Sequence, residues 1–469
     1  MARIQWLDAY QLERDVALCI QEQEEHGVYF DLGKARYYIS LLEKKKEELY
    51  KEIRPFLNYE VIIKEAKDKN GKYPYKAVWK ITNKDGTYTK SVLSWYDDPS
   101  IVVAPFSRIE IEEPSISKRG LIIQQLLKLG WKPESFTEKG TPQLTIKGEP
   151  VDSLEKVGTF GKALSLWYTY NHRQSQIEGF FQYVRSDSRI PAAMNTCATN
   201  TFRCAHRIVA NIPRPTSIFG KEMRSLFSVK HGRKFVGADL SGLELRMLAH
   251  HMNDPDYIHQ VLEGDIHLYN LSKTGSYITK ETVDMSNIKG EKKRLAHFRD
   301  IMKTWIYGFL YGSGDAKSGS IIGGTATDGR NLKETFFKEL PALGTLIDKV
   351  KRFAERHGFL PAIDGRKIRI REFEGRVLVH TALNALLQAN GSIIAKRAMV
   401  ICNKEIKRRG LDAFQIIFYH DEFAYDCSED CSEEVGKLMV WSMQQAGLYY
   451  NLNIPIDGEY GIGNDWSIH

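Results

Sequence analysis

A mixed α/β (α+β) fold with several subdomains is predicted by three features of the sequence. An apolar run over Lys234–Asp239 passes directly into helical periodicity over about 242–252. Two further apolar runs, Phe414–Tyr419 and Phe423–Cys427, flank a tight turn at His420, Asp421 and Glu422. Long helical patterns surround these strands, and 469 residues at 42% hydrophobic content can bury more than one core.

Residues 7–55 read as two helices. Leu12, Val16, Cys19 and Ile20 share a face of the first, Leu41, Leu42 and Leu49 mark the second, and His26 with Gly27 separates them. Residues 56–113 form a lysine-rich insertion with a hairpin signature. Tyr75, Ala77, Trp79 and Ile81 alternate with mostly polar residues, Asn83–Gly86 supplies a turn, and Tyr88, Ser91 and Leu93 follow. A small packed hairpin with a solvated face explains this segment as well as a binding surface does. Helical patterns return at 117–129, 153–184, about 291–311 and about 379–407, and a glycine-rich segment from Asp457 carries Trp466.

The net charge is +7, from 66 basic and 59 acidic residues, which permits a polyanionic partner without requiring one. The excess is concentrated between Thr201 and Phe235, where eight Arg or Lys residues accompany a single acidic residue, Glu222. Such a stretch reads as a phosphate contact that makes binding salt-dependent, or as a basic surface loop. The six cysteines form no C-x-x-C pair, so a zinc site is not expected and reduced thiols are. No apolar run approaches membrane-spanning length and the N-terminus lacks signal-peptide character, so a cytoplasmic location is expected.

Asp239 ends an apolar strand and Asp421 sits in a turn between two more. A carboxylate at the rim of a core is costly unless paired or metal-bound. Two of them on adjacent strands could hold two Mg²⁺ ions about 3.5–4 Å apart. Taken singly, either aspartate is as readily a turn cap. Arg299, Lys303, Tyr307 and Tyr311 recur every fourth residue, so one helix face carries two cations followed by two aromatics, an odd composition for a core. Asp426 reads as a surface carboxylate.

Several segments resemble family A DNA polymerases, most nearly the phage replicative branch. Ala238–Arg246 is similar to that family's motif A, Arg299–Gly312 to motif B, and His420–Glu422 to motif C. Gly264–His267, Asp364–Lys367 and His380–Gln388 also match, in the family order. The resemblance is strong from about residue 200 onward and weaker back to about residue 10. It implies a right-hand fold with palm, fingers and thumb. Residues 1–200 would be thumb and N-terminal helices, 201–265 the first part of the palm, 266–378 the fingers, and 379–469 the second part of the palm.

The resemblance also implies roles. Asp239 and Asp421, with the Leu240 carbonyl, would hold two Mg²⁺ ions, Mn²⁺ being able to substitute. Arg299 and Lys303 would bind the triphosphate and stabilise charge in transfer. Tyr307 would pack on the incoming base and sugar, and His267 would reach a phosphate oxygen. Glu244 would exclude a 2′-hydroxyl, although a glutamate there also suits a helix N-terminus. Glu422 would support the site. Tyr311 would guard the template base. Arg203, His206, Arg224, His380, Asn384, Gln388 and His420 would contact primer–template, Arg224 and Gln388 by reading minor-groove acceptors. The expected activity is template-directed DNA synthesis from dNTPs on primer–template DNA, without a proofreading domain in this stretch. A processivity factor at 56–113, and separate exonuclease, helicase or primase chains, are candidate partners. A single-subunit RNA polymerase is the competing class, and Glu244 with Tyr307 argues against it.

Overall fold

The computed structural model describes residues 6–57, 60–63, 80–104, 106, 109–112 and 114–468, with residues 60–63 and 109–112 described by backbone alone. It divides into two compact units, one comprising 1–35 and 180–469, the other 36–179.

The larger unit is built on a four-stranded antiparallel sheet. Its spatial order is Ala413–Tyr419, Glu422–Ser428, Arg233–Leu240 and Gly458–Gly463. The two central strands are almost continuously buried, which explains their apolar runs in place of clean alternation. The helices Ala382–Arg409 and Ser432–Tyr449 pack on this framework, and Trp6–His26 lies against the Ala413–Tyr419 strand. The 28-residue Ala382–Arg409 helix buries residues nearly all round and stops at Gly410, whose φ of 67° supplies the left-handed cap. Among the described residues, Trp305 and Trp466 are the largest fully buried side chains. Truncating such a residue costs roughly 3–5 kcal/mol.

The expected strands and helices are present with shifted ends, apart from three differences. The helix expected over 291–311 is broken into Ile288–Arg294 and Ala296–Leu310. Leu295, fully buried, leaves the helical region at φ −105°, ψ 20°, so core anchoring overrides continuous periodicity. In the insertion, the Asn83–Gly86 turn forms as expected, with the Asn83 N–H donating to the Thr87 carbonyl at 2.7 Å. The residues after it form a helix, Lys90–Trp95, instead of a returning strand. Tyr75, Ala77 and Trp79, and the lysine and tyrosine at 72 and 73, lie outside the described residues. Finally, the first helix belongs to the sheet unit and not to a helical unit reaching residue 200. Glu13 ties it there, bonding the fully buried Lys396 at 2.8 Å and also Arg366.

The unit formed by 36–179 has its own core of Ile122, Leu126, Trp131, Leu154, Phe160 and Leu164 with their neighbours. The Trp131 indole donates to Ser153 Oγ at 3.1 Å, so its polar atom is satisfied inside that core. Lys46 donates to Asn171 Oδ1 at 3.1 Å and lies 5.6 Å from the Trp167 ring centroid.

Candidate active site

Backbone geometry alone brings the two aspartates together. Asp239 is the penultimate residue of its strand and pairs in register with Glu422. The next residue, Leu240, donates its N–H to the Asp421 carbonyl at 3.2 Å. Tyr419 pairs with Glu422 across a two-residue loop, His420 and Asp421, and His420 takes a φ of 61°. Positive φ at the head of a two-residue hairpin loop matches the twist of the strands. A histidine there is uncommon, and such backbone strain is concentrated at functional sites.

The strand that carries Asp239 is also pinned from its other side. A Cβ at Gly458 would lie 2.6 Å from the Asp239 carbonyl and 2.3 Å from Met443 Sδ. We predict that Gly458→Ala displaces the end of this strand. It should cost about 1–3 kcal/mol in thermal or denaturant unfolding and lower any activity that depends on Asp239. Wild-type stability and activity in the variant would show that the strands accommodate the methyl.

The electrostatics of the pair are those of unmet negative charge. Burial lifts the Asp239 carboxyl to about 7, helped by Asp421, Glu422 and Glu244 and opposed by Arg224. Burial also lifts Asp421, to about 6, helped mainly by Glu244. Asp239 has solvent-accessible surface, yet it lies in a recess crowded by protein atoms, and that crowding produces the desolvation. A divalent cation would relieve this repulsion. Among the described residues no three His, Cys, Asp or Glu side chains form a complete ligand set. Two carboxylates suit a hard cation that takes its remaining ligands from backbone carbonyl, water and a substrate phosphate.

Glu422 is buried and already partnered. Its carboxylate accepts from Arg224 Nη1 at 3.3 Å and from the Trp466 indole. Arg224, buried as well, donates to the Pro213 carbonyl at 3.2 Å and stacks 4.5 Å from the Trp466 ring. The structure thus places Arg224 beneath the site as the counterion of Glu422. A buried carboxylate must be neutralised, and Arg224 does this for Glu422; a minor-groove contact by the same side chain stands as a proposal.

Glu244 heads the Leu243–Met252 helix and accepts from Tyr311 Oη at 2.9 Å and Arg203 Nη2 at 3.1 Å. The Ala296–Leu310 helix buries Met302, Trp305, Ile306 and Leu310 and turns Arg299, Lys303 and Tyr307 the other way, with Tyr311 at its C-cap. The negative charges of Glu244, Asp421 and Asp239 all reach Tyr307 and, with burial as the leading cause, hold its phenol at about 12. Tyr307 and Tyr311 therefore reach these carboxylates, while Arg299 on the same helix bonds Asp265. His267 lies 6.1 Å ring to ring from Tyr307. Its buried Nδ1 has no hydrogen-bond partner among the described residues. Burial first, then Arg299, pushes His267 down to about 4, so its ring is neutral.

The remaining expected contacts fall in two groups. His206 donates Nε2–H to the Phe418 carbonyl at 3.1 Å and packs 5.1 Å from the His420 ring, beside Asp421. At the far end of the Ala296–Leu310 helix, His380 and Asn384 line a cavity of about 400 Å³ with Gly312 and Ser313. Gln388 donates to Asn384 Oδ1 at 2.7 Å. The basic run 201–235 is not one polyanion-binding face. Arg203, Arg224, Arg233 and Lys234 are paired with Glu244, Glu422, Asp426 and Glu429, while Arg207, Arg214, Lys221 and Lys230 are exposed.

Asp426, expected at the surface, is fully buried between Arg189 at 2.9 Å, His26 at 3.2 Å and Arg233. Despite its burial, hydrogen bonds from His26, Arg233 and Arg189 hold its carboxyl at about 2. Sequence reasoning also missed Asp265, which bonds Arg299, and Trp466, which bonds Glu422. Asp265 stood inside the matched 264–267 segment, one signal that could have found it.

An antiparallel sheet that brings two carboxylates together, unrelieved by a nearby cation of their own, suits a class of protein that uses divalent cations. The family model described as DNA polymerase family A matches residues 122–468. The chain is 32% identical over 372 residues to the DNA-directed DNA polymerase of Escherichia phage Phieco32, covering 66% of this chain and 60% of that protein. It is 29% identical over 412 residues to the DNA-directed DNA polymerase of Escherichia phage T7, covering 78% and 54%. Among solved structures, the POL domain of Pol1 from M. smegmatis, in complex with DNA primer-template and dNTP, matches with a TM-score of 0.72 over 97% of this chain and 70% of that chain, at 20% identity. That likeness is one of fold. The chain belongs to DNA polymerase family A. It spans 60% and 54% of the lengths of the two phage relatives.

Proposed function

We propose that this chain is a template-directed DNA polymerase that adds dNTPs to a primer 3′-hydroxyl by phosphoryl transfer, of the phage replicative type. The observation that supports this most is the meeting of Asp239 and Asp421 at paired strand ends, both raised in pKa, beside Tyr307 of the Ala296–Leu310 helix. Divalent ions, Mg²⁺ by the hardness of the ligands, would supply charge neutralisation at the attacking and leaving oxygens. Asp239, Asp421 and the Leu240 carbonyl would hold them. Lys303 and Arg299 would grip the triphosphate, where their fixed charge stabilises the developing negative charge of transfer. His267, neutral, would donate to a phosphate oxygen. Tyr307 would support the base and sugar, and Tyr311 would cover the template position. Arg203, His206 and His420 would lie along the primer strand, and His380, Asn384 and Gln388 along the template side. Extension of a primed template by the purified chain with paired and mismatched 3′ ends tests the reading. No nucleotide addition to a paired end would refute it.

Glu244 would set sugar choice, since Tyr311 and Arg203 fix its carboxylate in one place. Glu244→Ala is expected to raise ribonucleotide incorporation relative to deoxyribonucleotide by about tenfold or more, because a filled volume becomes open. Competition between dNTP and rNTP in single-nucleotide addition measures it. Unchanged discrimination would return Glu244 to a helix-terminus role.

The insertion would dock an auxiliary processivity protein. Leu93, Ile101 and Val103 expose 58%, 69% and 77% of their surface there, apolar side chains that a docked protein would cover. Deleting 56–113 is expected to shorten products in a host extract while leaving single-nucleotide addition intact. Equal product lengths would remove the proposal.

A further inference from the structure

One carboxylate organises the cationic side of the site without belonging to the metal pair. Asp265 is 5% exposed and makes contacts with three separate elements. Oδ1 accepts the backbone N–H of His267 at 3.1 Å and of Leu268 at 2.9 Å, which caps the Ile266–Ser272 helix. Both oxygens accept Arg299 Nε at 3.1 Å, and Oδ2 accepts Arg299 Nη2 at 2.9 Å. Lys292 Nζ, from the Ile288–Arg294 helix, completes the set at 3.1 Å. Hydrogen bonds from Arg299, Leu268 and Lys292 outweigh desolvation, so Asp265 is held at about 2 and stays ionised.

The geometry of the guanidinium gives this arrangement a consequence. Arginine presents a planar fork of five N–H donors. Asp265 uses the Nε and Nη2 edge, leaving Nη1 with no recorded partner among the described residues. A long side chain that would otherwise lose rotamer freedom on binding an anion is already fixed in one rotamer. The same carboxylate fixes the start of the helix bearing His267, and it draws Lys292 toward that anion.

We propose that Asp265 is a positioning residue for triphosphate binding. It aims the free Nη1 edge of Arg299, and with it His267, at the nucleotide's phosphates, and it brings Lys292 in as a further cation at the entrance. This rests on the reading of Arg299 as a triphosphate contact. It makes a prediction opposite in sign to simple charge counting. If Asp265 were merely a nearby negative charge, neutralising it would tighten binding of an anion. If it positions Arg299, neutralising it weakens binding.

Asp265→Asn tests the choice, because asparagine still caps the helix while losing the ionic grip on Arg299. Asp265→Ser is the second variant, able to cap but too short to reach Arg299. Two readouts are needed on the full chain: affinity for inorganic tripolyphosphate by calorimetry, and KM and kcat for a dNTP in single-nucleotide extension. Both variants should bind tripolyphosphate about tenfold or more weakly and raise KM more than they lower kcat. Combined with Arg299→Ala, Asp265→Asn should add no further loss, since it acts through that side chain. Equal or tighter tripolyphosphate binding in the single variants overturns the proposal, as does a loss that adds fully to that of Arg299→Ala. If Arg299→Ala itself changes neither readout while the wild type extends primers, the role of Arg299 falls and this inference with it. Failure of the wild type to extend primers at all would instead count against the polymerase reading, and the tripolyphosphate comparison would still decide the positioning role.

Discussion

Asp421→Asn should abolish primer extension, by on the order of a thousandfold or more, while leaving primer–template binding intact. The substitution keeps the volume of the side chain, and asparagine is at home in tight turns. The backbone contact that joins the two strand ends uses the Asp421 carbonyl, which the variant retains. What disappears is a negatively charged oxygen ligand for a hard cation, and with it the neutralisation that phosphoryl transfer requires. Asp239→Asn should behave alike. Extension rates by gel and DNA affinity by anisotropy separate the two effects. Extension within tenfold of wild type would mean the pair is not the reaction centre.

The same substitution should stabilise the metal-free protein at pH 8. Burial, with Glu244 and Glu422, raises Asp421 to about 6, and burial, with Asp421, Glu422 and Glu244, raises Asp239 to about 7, from an ordinary value near 3.8. As pH rises from about 4, the unfolded chain releases these protons first while the folded chain retains them. Stability contributed by the pair therefore falls between about pH 4 and pH 7 and stays low above that. A shift of the size seen at Asp421 corresponds to on the order of 3 kcal/mol, or a few degrees in Tm. In EDTA, Asp421→Asn should thus melt above wild type at pH 8 and converge with it near pH 4. Titrating groups that do not feel Asp421 cancel in this difference, and Asp239, relieved of that charge, adds to it in the same direction. Mg²⁺ should raise the wild-type Tm at pH 8 and do little for the variant, because a ligand that binds the folded state adds stability by mass action. A variant that melts below wild type at pH 8 would show that Asp421 is satisfied within the protein.

What the sequence disclosed and what it hid have a common physical basis. Asp239, Asp421 and the Arg299–Tyr311 stripe were legible because each is defined by local periodicity. A strand ends, a hairpin turns, or a helix face repeats every four residues, and the structure brings the two aspartates together, with Tyr307 and Tyr311 within reach of the local carboxylates. Asp426 was misjudged, and the pairing of Arg224 with Glu422 was hidden, because their partners are far away in the chain. Asp426 meets Arg189 across 237 positions, and Arg224 meets Glu422 across 198. A charged residue in an apolar strand gives no local sign of whether it faces solvent or a buried counterion. The basic run 201–235 misled for the same reason. Half of its cations are neutralised by carboxylates that come from other parts of the fold. The break at Leu295 is likewise invisible to periodicity, since a one-residue pivot hardly disturbs the apolar pattern on either side.

The order of strands across the sheet has a bearing on synthesis. The Arg233–Leu240 strand lies between Glu422–Ser428 and Gly458–Gly463, and Glu422 is capped by Trp466. A nascent chain emerging from the ribosome therefore carries Asp239 for 183 residues before its partner Glu422 on one side exists and for 220 before Glu459 on the other does. Until the Gly458–Gly463 strand is free of the exit tunnel, the Arg233–Leu240 strand has an open edge, and until Trp466 follows, Glu422 has Arg224 as a partner but not the indole. Catalytic competence should consequently arise late and all at once, and the waiting interval is when chaperones have most to protect.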